Sequence, residues 1–167
     1  MKTLYLVRHA KSSWSIDQIE DRDRPLKGRG IRDAHLVSQY IYENMEAQQT
    51  LAMYVSPATR ALHTALIFAR TMGIPAKKLK LEDELYHCGV SDLVKSIKGA
   101  PELCDTVFYF AHNPAVTDFV NAMTNARISN VPTTGVVCIR FHVDRWQDID
   151  AGAELIQFEY PKRLKAK

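Results

Sequence analysis

Short apolar runs alternate with segments of helical period along most of this chain, and that alternation restricts the possible folds more than any other feature. "TLYLV" at 3–7, "LAMYV" at 51–55 and "TVFYFA" at 106–111 have the continuous apolar character of strands covered on both faces. Between the first two, Ile31, Ala34, Ser38, Ile41 and Met45 recur at three- and four-residue steps, predicting a helix that begins near Gly30. Ala61, Ala65, Phe68 and Met72 line up in the same way, with Gly73 as a stop. A third strand at 78–81, a short helix from Ser91 and a helix from Pro114 to Met123 continue the series. Two closing strands, 136–143 and 155–160, are predicted to pair as a hairpin. Residues 11–26 are polar and irregular. The expected fold is α/β: a three-layer αβα sandwich with a mostly parallel central sheet, right-handed crossovers and a closing antiparallel hairpin.

With 167 residues, 46% of them hydrophobic, the chain supports one sizeable core, and residues 1–167 are expected to form a single domain. A net charge of +3 is far from the density of a nucleic-acid binder. The basic tail "PKRLKAK" reads as a solvated, partly frayed end. Cys88, Cys104 and Cys138 show no metal-ligand or paired spacing, which suits a reducing compartment and no disulfide framework. The amino-terminal apolar run stops at Arg8, too soon for a signal peptide, and no run reaches membrane-spanning length. A cytoplasmic protein with neither a membrane nor a nucleic-acid partner is therefore expected.

In a sheet of this kind ligands bind beyond the carboxyl ends of the strands. The first strand ends in Arg8 and His9, the second leads through "SPATR" to Arg60, and the strand at 106–111 ends in His112. Each has an ordinary structural explanation when taken singly. Together, two guanidiniums and two imidazoles leaving one sheet edge make a cationic cup for a tetrahedral oxyanion, because arginine forks grip phosphate oxygens in pairs and keep their charge. "KGRG" is no nucleotide-binding fingerprint, since it follows a loop and not a strand.

"LVRHAKS", "DRPLKGRG", "SPATRALHTA" and "FAHNPAV", in that order over nearly the whole chain, resemble the histidine phosphatase superfamily, the phosphoglycerate-mutase-like group, and in particular its small SixA-type phosphohistidine phosphatases. The resemblance implies that His9 is the nucleophile, forming a covalent phosphohistidine, with Arg8, Arg60 and His112 around the phosphoryl group. It implies no metal and no cofactor, because arginines and His112 supply the charge that metal ions bring elsewhere. Chemistry agrees: a neutral imidazole nitrogen is nucleophilic, and adjacent guanidiniums disfavour its protonation.

The glycine frequent after the histidine in this superfamily is Ala10 here, followed by Lys11, which either contacts phosphate or a partner or faces water. Many members carry a glutamate donor in the loop after the third strand. Glu84 in "EDELYHCG" stands at about that place, with Glu82, Asp83 and His87 as competitors. The implied function is a phosphatase hydrolysing phosphohistidine, on a protein, or small phosphoesters, through the covalent phosphohistidine enzyme. The alternatives are a phosphomutase, for which the chain is too short to carry a large cap, and a non-catalytic phosphate or phosphopeptide-binding module, for which a nucleophile would be superfluous.

Overall fold

The computed structural model describes residues 1–46 and 51–167. In chain order the elements are β1 (Lys2–Arg8), α1 (Gly28–Asn44), β2 (Leu51–Val55), α2 (Thr59–Thr71), β3 (Leu79–Leu81), α3 (Val90–Lys98), β4 (Thr106–Ala111), α4 (Ala115–Met123), β5 (Val136–Phe141), β6 (Glu154–Glu159) and α5 (Pro161–Lys165). The strands form a six-stranded sheet in the order β3-β2-β4-β1-β5-β6. Strands β1 to β4 pair in parallel, whereas β5 joins β1 antiparallel and β6 closes the sheet as the antiparallel partner of β5.

Side chains alternate faces along a strand, so each central strand feeds two cores. Leu4 and Leu6 of β1 join Val107 and Tyr109 of β4 on one face, where Leu93 and Ile97 of α3 and Phe119 of α4 cover them. Tyr5 and Val7 join Phe108 and Phe110 on the other, under Val37 and Ile41 of α1 and Ala65 and Phe68 of α2. The result is the expected αβα sandwich. Its apolar strands are continuous because both of their faces are buried.

Several boundaries differ from the sequence reading. Helix α1 begins at Gly28, and Met45 lies beyond its end with an extended backbone, although it still packs against the core. Strand β5 stops at Phe141 and β6 begins at Glu154. The basic tail is not a frayed end. It folds as α5, with Leu164 in the core beside α1 and Lys165 Nζ donating to Asp33 Oδ1 at 2.7 Å. Counting its cations conceals the two features that dock it, one apolar side chain and a buried carboxylate on a distant helix. The 11–26 segment is likewise fastened, by a bridge between Ser12 and Leu26 and a 3-10 turn at Asp21–Asp23. Among the described residues no helix is long and apolar enough to cross a membrane.

Candidate active site

Arg8 is the last residue of β1 and pairs in register with Ala111, the last of β4. The next residue on each strand is therefore a histidine, and the two meet with ring centroids 5.1 Å apart. The His9 backbone N–H continues the ladder to the Ala111 carbonyl at 3.2 Å. His9 is only 8% exposed, and its Nδ1 lies 2.8 Å from the Ala10 carbonyl oxygen. A carbonyl can only accept, so Nδ1 carries the hydrogen and the Nε2 lone pair is left free. Burial, reinforced by the charges of Arg60, Arg8 and Arg24, lowers the His9 pKa to about 4 against the opposing pull of the Ala10 carbonyl. Near neutral pH this imidazole is neutral and nucleophilic.

His112 is also neutral, its pKa lowered to about 3 chiefly by burial and then by His9 and Arg60. Its Nε2 lies 2.7 Å from Ser56 Oγ, which accepts the Ala58 N–H at 3.3 Å. With the serine hydroxyl donating to Nε2, the hydrogen of the neutral ring sits on Nδ1, a buried atom without a protein partner. Arg8 Nε, Arg60 Nε and Thr134 Oγ1 are buried and unpartnered as well. Buried polar atoms are rarely left so. Here they belong to the cup residues and to Thr134, whose N–H reaches the carbonyls of Arg8 and His9 at 3.1 and 3.0 Å. Thr134 adopts a left-handed backbone with φ of 61° to make those bonds.

Arg60 lies in the first turn of α2, and Arg8 is fixed by donating through one terminal nitrogen to the Val131 carbonyl at 2.9 Å. Arg60 donates from its two terminal nitrogens to the Asp21 backbone oxygen at 2.7 Å and to Asp21 Oδ2 at 3.1 Å. The same carboxylate accepts from the Tyr86 hydroxyl at 2.5 Å and from Arg24 Nε at 3.1 Å. These donors, Tyr86 foremost, together hold Asp21 well below the usual carboxylate range against the opposing effect of burial. Arg24 is itself buried, donates to Ser12 Oγ at 2.7 Å and stacks on the Trp14 ring at 3.4 Å. Thr64 couples α2 to the nucleophile loop by accepting from the Ala10 N–H at 3.0 Å while donating to the Arg60 carbonyl at 2.7 Å.

The structure thus brings together Arg8, His9, Arg60 and His112. It does not bring Lys11 to them by its side chain, which is exposed; the Lys11 carbonyl instead accepts the Lys27 N–H at 3.0 Å. Glu84 is exposed on the 3-10 turn Asp83–Leu85 and lines a separate hollow with Glu82, Asp92 and Lys95. Burial of Leu85 fixes that turn and directs its neighbour outward. Two residues further on the chain enters the cup: Tyr86, His87 and Cys88 share a hollow of about 350 Å³ with Arg60, His112, Asn113 and Pro114.

Asp21, Arg24, Ser56, Thr64, Tyr86 and Thr134 are missed by sequence reasoning about the site. Arg24 lies inside "DRPLKGRG", Ser56 and Thr64 inside "SPATRALHTA" and Tyr86 inside "EDELYHCG", so these four had a signal that went unused, whereas Asp21 and Thr134 had none. Among the described residues no group of three or more His, Cys, Asp or Glu has the arrangement to hold a metal ion.

The fold is shared with a protein of Nakamurella multipartitia assigned as the phosphohistidine phosphatase SixA, with a TM-score of 0.79, 25% identity and 96% of each chain covered. A protein histidine phosphatase SixA in complex with tungstate superposes with a TM-score of 0.80 at 17% identity, covering 97% of this chain and 99% of that one. In sequence, the chain is 32% identical to the uncharacterized protein Rv1276c of Mycobacterium tuberculosis, over 93% of its own length and all of that protein. The family model described as the histidine phosphatase superfamily (branch 1) matches residues 4–100, more than half of the sequence, and the chain belongs to that superfamily.

Proposed function

We propose that the chain hydrolyses phosphohistidine, presented on a protein partner, by passing the phosphoryl group through His9. The observation that carries this reading is the His9 ring: neutral, with Nδ1–H tied to the Ala10 carbonyl and Nε2 unencumbered. Nε2 attacks phosphorus, the bond to the leaving imidazole breaks, and water then displaces the phosphoryl group from His9. Arg8, Arg60 and His112 Nδ1–H stabilise the charge on the phosphoryl oxygens, which needs neither a metal nor a cofactor. An imidazole leaves phosphorus far more readily than an alkoxide does. A member of this superfamily with SixA among its structural neighbours, and no large cap, suits a side chain offered by a folded partner. A reducing, cytoplasmic location fits the three free cysteines.

The test is rapid quench with labelled substrate. An acid-labile, base-stable phosphoenzyme is expected, and it should vanish in His9→Ala; label retained in that variant would remove His9 from the reaction. On substrate, kcat/KM for phosphohistidine protein is expected to exceed that for phosphoglycerate and sugar phosphates, and the reverse order would overturn the assignment.

A further inference from the structure

We propose that His87 is the group that protonates the leaving oxygen when the substrate is a phosphate ester, so that the same cup also hydrolyses phosphomonoesters whose alcohols leave poorly. This inference rests on the phosphoryl-transfer reading of His9 and assigns the proton donor that phosphoester substrates of the same site would need.

An ester oxygen departing from phosphorus needs a proton, and its donor must line the space that the leaving group occupies. The hollow beside Arg60 and His112 is lined by seven residues. Arg60 cannot release a proton at useful pH. His112 is neutral at neutral pH, and burial pushes the Cys88 thiol upward, away from proton exchange in that range. The Tyr86 hydroxyl is already committed to Asp21. Asn113 and Pro114 are not acids. His87 remains, and an imidazole is a side chain that can both give and take a proton. Glu84, the candidate closest to hand in the sequence, lines the other hollow.

The position of His87 is specified by its surroundings. Its backbone is left-handed, with φ of 60°, a conformation that costs a residue other than glycine and that collects at working sites. Its ring packs on Tyr86 with centroids 4.0 Å apart, and the Tyr86 ring in turn meets His112 edge-on at 5.7 Å. Tyr86 is held by Asp21, the residue that holds Arg60. His87 is thereby tied to the phosphate-gripping arginine through a continuous set of contacts, while its exposure leaves it open to a substrate and to water.

In the first step His9 Nε2 forms the P–N bond as the P–O bond breaks, and the His87 imidazolium gives its proton to the departing oxygen, which leaves as the neutral alcohol. In the second, water attacks phosphorus and gives a proton to the now neutral His87. The P–N bond breaks, and inorganic phosphate, neutral His9 and protonated His87 are restored.

A series of substituted phenyl phosphates with phenols of graded acidity tests this. In His87→Gln, kcat/KM is expected to fall about 10²-fold or more for the least acidic phenol and to stay near the unsubstituted value for dinitrophenyl phosphate, with His87→Glu restoring much of the loss. Equal loss across the series, no loss anywhere, or a protein without turnover of the series would overturn the role of His87. Phosphoenzyme formed from dinitrophenyl phosphate reports separately on His9: its absence removes the nucleophile reading, whereas its presence with a flat response in His87→Gln removes the donor alone.

Discussion

At the scale of the residue, the site depends on one carboxylate as much as on its cations. Asp21 accepts from Arg60, Arg24 and Tyr86 at once, so it sets where the Arg60 fork stands. A hydrogen bond to a charged group contributes about 1.5–3 kcal/mol, and Asp21→Asn is expected to lower kcat/KM by about tenfold or more. Arg60→Ala should cost about 10²-fold, the scale of losing one preorganised donor, and Arg60→Lys should recover little because a single ammonium cannot reproduce the fork. Steady-state kinetics on an aryl phosphate measures all three, and near-normal efficiency in Arg60→Ala would remove it from the cup. The two neutral histidines carry a pH consequence of their own. An unfolded chain protonates them near pH 6.5, whereas the folded one does so only near 4 for His9 and 3 for His112. Between those values the unfolded state binds more protons, so this contribution is present above about pH 7 and is lost as the pH falls. Urea midpoints are expected to drop from pH 7 to pH 5, and to drop less in His9→Gln combined with His112→Asn.

Among the elements, α1 joins the nucleophile loop to the carboxyl-terminal helix. At Gly30 a Cβ would stand 2.2 Å from the Lys11 carbonyl oxygen, so only glycine lets this helix lie against the backbone two residues beyond His9. Gly30→Ala is expected to destabilise by about 1–3 kcal/mol, as overpacking does, and to lower activity further by displacing the loop; a denaturant series with kinetics separates the two. At its other contact α1 presents Asp33, 2% exposed, to Lys165. Lys165→Ala leaves that carboxylate with Arg29 at 3.6 Å as its remaining ion-pair partner. A loss of about 1–3 kcal/mol is expected, and a cycle with Asp33→Asn should give less than the sum. Neither contact is visible in the periodicity of 28–44, because each depends on what a distant segment brings to one position. The strands are another matter. "TVFYFA" is legible because burial on both faces demands apolar residues at every position, and the same rule locates β1 and β2.

Across the whole molecule, that difference divides what the sequence discloses from what it withholds. Arg8, His9 and His112 are legible because each lies at or just past a strand end, and Arg60 because it opens the helix that follows one, and such ends converge in a parallel sheet. Asp21, Ser56, Tyr86 and Thr134 are not, because loops of different origin meet there through single hydrogen bonds that leave no periodic trace. Glu84 and His87 show the limit most plainly: three residues apart in one short loop, they line different hollows because Glu84 lies on a 3-10 turn that His87 follows. The partnership of His9 and His112 has a more robust origin. Neighbouring strands stand about 4.8 Å apart, and the two rings, one residue beyond paired strand ends, are 5.1 Å apart. Their separation is a lattice constant of the sheet. Heating that loosens helices α1 to α4 without melting the ladder should leave that spacing intact: an NMR contact between the two imidazoles is expected to persist until the strand signal in circular dichroism is lost, even where activity has already fallen because Arg60 rides on α2.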